Sequence, residues 1–204
     1  VGKNADILPD ILRLYVPEGS VIADVTFGMG WFWKKVDTRK YTLLASDNSE
    51  RIFNPQVEMW STIYRFQADF TELPFRDESL DAIIFDPPYG QGSTTTPLQT
   101  VGASYNLKPC KGPETVGEFY SNMQEEAIRI IKTNGVVIIK CQDMVNQHKQ
   151  FWFHCDIWEE WSNRLWEFVD LFVLVQEHTP IMRHAYQFHA RKNHSYFWVA
   201  RKRR

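Results

Sequence analysis

The chain has 204 residues, 44% of them hydrophobic, and a formal net charge of −2 at neutral pH; this is enough apolar material for one full core and too little length for a second, so a single domain over 1–204 is expected. Its three cysteines, Cys110, Cys141 and Cys155, form no Cys-x-x-Cys pair, which argues against a disulfide framework or a zinc site and points to a reducing cytoplasm. No apolar run is long enough for a bilayer and no signal pattern is visible, so no membrane partner is expected, and the small net charge excludes gross electrostatic attraction to nucleic acid, leaving only local basic patches for that purpose.

The first clear strand is Val21-Ile22-Ala23-Asp24-Val25, which runs into Thr26-Phe27-Gly28-Met29-Gly30 and a short predicted helix from Trp31 to Val36. Two glycines one residue apart let the main chain turn tightly and approach a bound molecule. The turn departs from the dinucleotide fingerprint, since no third glycine follows Gly30 at the required spacing and the acidic Asp24, unfavourable to a pyrophosphate, stands before it. A second strand, Tyr41 to Ser46, ends at Asp47 and Asn48, and a third, Ile63 to Gln67, is followed by Ala68-Asp69-Phe70.

The fourth strand ends in Ile83-Ile84-Phe85-Asp86-Pro87-Pro88-Tyr89-Gly90. Two prolines stop the ladder and stiffen the loop, leaving a carboxylate and an aromatic ring at the carboxyl end of a strand, where ligands bind in open α/β sheets. Acids thus follow four successive strands, on what should be one edge of a parallel sheet. The polar stretch 91–113 has neither helical nor alternating periodicity, and its length marks a flexible loop over the substrate. Glu114 to Lys132 reads as a helix with Phe119, Met123, Ala127, Ile130 and Ile131 on one face, and Gly135 to Lys140 as a fifth strand. A further helix is predicted over Asp156 to Phe168, because Trp158, Trp161, Leu165 and Phe168 recur at helical spacing. The preceding Phe151-Trp152-Phe153 is either core or a surface that stacks on a base. Val169 to Gln176 and Ser195 to Ala200 read as strands flanking a basic hairpin loop, 178–194, and 201–204 as a basic tail. The histidines of that loop lack metal-ligand spacing, so no metal is assigned.

Asp86-Pro87-Pro88-Tyr89 resembles the catalytic motif of S-adenosylmethionine-dependent amino-methyltransferases, which methylate exocyclic nitrogens of adenine or cytosine in DNA, and of relatives acting on RNA bases or protein glutamine. The Asp24 to Gly30 segment is similar to the cofactor motif of class I methyltransferases. The resemblance runs from about Ser20 to Lys202 and implies a Rossmann-like α/β fold: a seven-stranded, mostly parallel sheet with an antiparallel last strand and helices on both faces. It implies that Asp24, Thr26, Phe27, Gly28 and Gly30 hold S-adenosylmethionine, that Asp47 and Asn48 take the ribose, and that Asp69 and Phe70 take the adenine. Asp86 and the Pro87 carbonyl are then the acceptors for the target amine, Pro88 stiffens the turn and Tyr89 stacks on the base. Arg183, Arg191 and Lys192 of the basic loop read from their charge either as phosphate contacts or as part of a solvated loop. DNA is the expected substrate over RNA, and adenine N6 over cytosine N4, since Asp at the first motif position is more usual in adenine enzymes. An RNA base methyltransferase, a protein-glutamine methyltransferase (whose motif carries Asn in place of Asp86) and a catalytically silent binding module remain alternatives, with an NAD-dependent oxidoreductase disfavoured by the missing glycine. No separate target-recognition domain is visible, so specificity is expected from the loop after Tyr89, the 142–155 region, the basic loop, a partner protein or a homodimer.

Overall fold

The computed structural model describes residues 1–53, 63–88, 113–176, 189–190 and 192–204. Seven strands form one sheet in the order β3-β2-β1-β4-β5-β9-β8. These are β1 (Val21–Asp24), β2 (Thr42–Asp47), β3 (Tyr64–Gln67), β4 (Leu80–Phe85), β5 (Ile131–Cys141), β8 (Trp166–Val175) and β9 (His194–Lys202), while β6 (Met144–Asn146) and β7 (Lys149–Phe151) make a separate hairpin. The first five pair in parallel, and β9 is antiparallel to both β5 and β8. This is the expected Rossmann-like architecture.

Strand alternation divides the core between the two faces. Ala23, Ile83, Phe85, Val137 and Ile139 point to one side, where they meet helix α2 (Pro113–Ile130) and helix α3 (Phe153–Trp161). Ile22, Leu43, Ala45, Ala82, Ile84, Val136 and Ile138 point to the other, against helix α1 (Asn4–Tyr15) and the 3-10 turn Trp31–Lys35. In α2 the buried positions Val116, Tyr120, Met123, Ala127 and Ile130 follow the helical repeat. In α1, Leu8, Ile11 and Leu12 do the same, and the backbone N–H of Lys3 donates to Asp6 at the helix start.

Two expectations are corrected. The helix predicted over 156–168 occupies Phe153–Trp161 and stops at Ser162; the Asn163 side chain then accepts the Leu165 N–H, and Trp166 begins β8. Trp161 and Trp166 still pack together, with ring centroids 5.2 Å apart, so the apolar spacing was a record of shared burial rather than of one continuous helix. Likewise Arg201 and Lys202, read as part of a tail, belong to β9, and the Lys202 ammonium donates to the carbonyls of Ile128 and Ile131 and to Glu78. Of the expected substrate loop, 91–112 lie outside the described residues, and Pro113 already opens α2. Among the described residues no helix is long and apolar enough to cross a membrane.

Candidate functional site

The alternation that sorts the core also assembles the site. Asp24 continues the Ile22 side of β1, Asp47 the Leu43 and Ala45 side of β2, Asp86 the Ala82 and Ile84 side of β4, and Lys140 the Val136 and Ile138 side of β5. All four therefore emerge at the carboxyl edge on the face covered by α1. They line one cleft of about 410 Å³ together with Thr26, Phe27, Gly28, Asn48, Phe70, Pro87 and Pro88. Asn4 at the start of α1, Trp31, Phe32 and Gln142 complete the wall. Asp69 is exposed outside that lining; it accepts from the backbone and hydroxyl of Thr71 and from the Asn48 amide. Tyr89, Arg183 and Arg191 lie outside the described residues. The Lys192 ammonium lies over the ring of Trp152, 5.1 Å from the centroid.

The glycine turn is held from both sides. The Phe27 N–H donates to the Ser46 carbonyl, the Gly28 N–H to Asp47 at 2.9 Å, and the Gly30 N–H to the Phe27 carbonyl. Gly30 has φ of 69°, and a Cβ there would stand 2.7 Å from Cζ of Phe27. Gly30→Val is therefore expected to displace the Phe27 ring in the cleft wall and to weaken binding of S-adenosylhomocysteine by about tenfold or more in a calorimetric titration. Thr26 joins this turn to the Asp86-Pro87-Pro88 strand end, its hydroxyl accepting the Asp86 N–H at 2.8 Å.

Asp24 is 3% exposed and accepts from the indole N–H of Trp33 at 2.6 Å and from the Thr26 N–H at 3.1 Å. Burial pushes its carboxyl up to about 7; those two hydrogen bonds oppose the shift, and the nearby charges of Asp86 and Asp47 add to it. The folded protein consequently holds an extra proton here between the ordinary aspartate range and about pH 7. This group's contribution to stability is fully present below that window and is lost as pH rises through it. A cationic ligand stabilises the ionised form, so its affinity should increase from pH 6 to pH 8, with proton release on binding, and then level off. Calorimetry in buffers of different ionisation enthalpy checks both the trend and the released proton.

Lys140 was not foreseen as a site residue. It is 5% exposed, and its ammonium donates to both oxygens of Asp86, at 2.9 and 3.0 Å, while lying 5.4 Å from the Phe32 ring centroid. The signal was present in the strand register. Phe85 pairs with Ile139, so the next rung sets Lys140 beside Asp86. Trp33 was likewise unforeseen, because a fully buried tryptophan in a short turn reads as core until its indole N–H is seen to meet Asp24. Asn4 gave no sequence signal at all, since its place depends on how α1 packs over the face.

No protein-family profile matches the chain, and no curated protein matches its sequence. Solved structures do match in shape. An S-adenosylmethionine-dependent methyltransferase from Methanosarcina mazei aligns over 95% of this chain and 97% of its own, with a TM-score of 0.61 at 12% identity. The fold is that of S-adenosylmethionine-dependent methyltransferases. A methyltransferase from Haloferax volcanii, solved in complex with the Trm112 methyltransferase activator, aligns over 93% and 84% with a TM-score of 0.59 at 13% identity. The [4+2]-cyclase SpnF aligns over 97% and 81% with a TM-score of 0.60 at 13% identity. The methyltransferase fold thus also carries other chemistry, and the activity of this chain has to be argued from its own site.

The cleft suits the cofactor that the fold implies. Three carboxylates, Asp24, Asp47 and Asp86, and one ammonium, Lys140, line it among the described residues, so its balance favours a cation and disfavours a polyphosphate. Asp24 and Asp47 lie toward the glycine turn and the end of β2, Asp86 at the end of β4, and the buried apolar ring of Phe70 beyond the end of β3.

Proposed function

We propose that the chain is an S-adenosylmethionine-dependent methyltransferase acting on an exocyclic base amine in DNA, with adenine N6 as the target and cytosine N4 next. The observation that supports this reading is the single cleft shared by the Asp24 to Gly30 turn and the Asp86-Pro87-Pro88 strand end, joined by the hydrogen bond between Thr26 and Asp86. A fold of this kind with a basic or apolar residue at position 86 would not distinguish an amine target from any other.

In this reading Asp24 holds the cofactor's ammonium, Asp47 and Asn48 its ribose hydroxyls, and Phe70 its adenine, while Asp69, outside the lining, holds the Asn48 amide. The cofactor supplies an activated methyl group. The residues of the chain solve the other half of the problem, which is that an aryl amine is a poor nucleophile because its lone pair is delocalised into the ring. Asp86 accepts one amine hydrogen and the Pro87 carbonyl the other, favouring tetrahedral nitrogen and stabilising the positive charge that develops on it. A carboxylate oxygen has more than one acceptor position, so the Lys140 bonds leave Asp86 able to receive the amine, and they fix its orientation. Pro87 and Pro88 keep that geometry rigid. Tyr89 then stacks on the base, which has to be flipped out of a duplex or be single-stranded already.

The test is transfer of label from methyl-labelled S-adenosylmethionine to duplex DNA, single-stranded DNA, total RNA and protein in parallel. Label in DNA is the expected result. Label in RNA alone would move the same mechanism to the RNA reading, and cofactor binding without transfer to any acceptor would favour a silent module or a missing activator protein.

A further inference from the structure

Beside the cleft, on the β5 and β9 side, runs a ledge that the cofactor site does not use. Of the three consecutive aromatics at 151–153, Phe151 packs against the core and Phe153 is buried within it, whereas Trp152 is 50% exposed at the start of α3. Phe151 and Phe153 stack on one another with ring centroids 6.4 Å apart, and so anchor the segment from which Trp152 projects. Trp152 meets the His154 ring edge-on, and His154 stacks on Tyr196 with centroids 4.2 Å apart. His154 is itself fixed by Asp143, a buried carboxylate 2.7 Å from its Nδ1. The indole is therefore mounted on a rigid stack.

This ledge is connected to the cleft. The Gln142 side chain, part of the cleft wall, donates to the backbone carbonyls of His194 at 2.9 Å and Lys192 at 3.3 Å. That clamp sets the Lys192 ammonium 5.1 Å from the Trp152 ring centroid, and Lys149, at the start of β7, adds an exposed positive charge three residues from the indole. An indole that is half exposed and carries a cation over its ring matches a nucleotide, whose base stacks on the exposed part of the indole and whose phosphate pairs with the cation. A purely apolar partner would gain nothing from Lys192 and Lys149.

We propose that Trp152, with the Lys192 ammonium over its ring, is the platform on which the DNA strand rests beside the target base: the neighbouring base stacks on the exposed part of the indole and its phosphate pairs with the ammonium. This rests on the base-methyltransferase reading above, and it places sequence or strand preference in the 142–155 region.

The experiment measures binding of a fluorescein-labelled, adenine-containing single-stranded oligonucleotide by anisotropy in the presence of S-adenosylhomocysteine. Trp152→Ala should weaken binding by about tenfold while Trp152→Phe retains most of it, since stacking on any aromatic face is sequence-tolerant. Lys192→Gln should weaken binding and reduce the salt dependence by roughly one phosphate contact. Trp158→Ala, which removes a comparably exposed tryptophan from α3, should bind like wild type, and unchanged S-adenosylhomocysteine affinity certifies that each variant is folded. Equal oligonucleotide affinity in wild type and Trp152→Ala, with DNA methylation intact, would overturn the platform and leave the catalytic reading standing. Failure of the wild type to bind or methylate any nucleic acid would overturn both.

Discussion

Replacing Asp86 with alanine is expected to lower methyl transfer by about a thousandfold or more while S-adenosylhomocysteine binds within a few fold of wild type. The asymmetry follows from where Asp86 stands. It leaves the end of β4 beside Pro87 and Pro88, while the glycine turn, Asp24 and Asp47 come from β1 and β2. The two halves meet through the β1–β4 pairing and through the backbone N–H of residue 86 on the Thr26 hydroxyl, both of which alanine preserves. The cost appears in turnover and in stability, because the Lys140 ammonium, 5% exposed, loses both carboxylate oxygens. Breaking a buried pair of this kind typically costs about 3 kcal/mol or more, and the partial exposure of Asp86 reduces the figure here. Single-turnover kinetics together with calorimetric cofactor titration separate the two roles. A large loss of cofactor affinity with normal turnover at saturation would reverse the assignment.

Lys140→Met is the complementary case. The substitution keeps the length of the side chain and its packing near Phe32, but removes the ammonium that holds Asp86. Turnover should fall by roughly ten- to a hundredfold, because the carboxylate loses two charge-assisted hydrogen bonds that set its orientation toward the amine. Cofactor affinity should stay the same or tighten, since the cleft then carries three acids and no lining cation among the described residues. That opposite movement of turnover and affinity is the signature to look for. A merely structural lysine would move stability, in a thermal melt, and leave turnover per folded molecule unchanged.

Local pattern carried most of the fold into view. The strands at 21, 42 and 80 are short, mainly apolar runs closed by turn residues, and the acids at their ends are readable because a parallel sheet brings strand ends to one edge. Whether those acids share a face depends only on counting in twos from core positions such as Ile22, Leu43 and Ile84, which is why Asp24, Asp47 and Asp86 fall together. Asp69 is the acid after the third strand, yet its carboxylate is turned onto the Thr71 backbone and hydroxyl and stays outside the cleft, while the next residue, Phe70, lines it. Lys140 was hidden for the opposite reason, since a lysine at the end of an apolar strand looks like a solvated terminus unless the register with β4 is known. Helix α1 is absent from the sequence reading; it runs continuously through Pro9, and a proline inside a helix removes a donor that only tertiary packing offsets. The 156–168 helix failed because Trp161 and Trp166 are neighbours across a turn, a relation that a one-dimensional repeat does not separate from one helical face.

If Asp86 and Pro87 present an exocyclic amine for methylation, the methylated product itself reveals it. DNA incubated with the enzyme and S-adenosylmethionine, digested to nucleosides and analysed by mass spectrometry against standards, should yield N6-methyladenine, and none when Asp86 is replaced by alanine. A methyl group found on a ring carbon, a ring nitrogen or a sugar oxygen would contradict the account, because neither the carboxylate nor the proline carbonyl would then have an amine to receive.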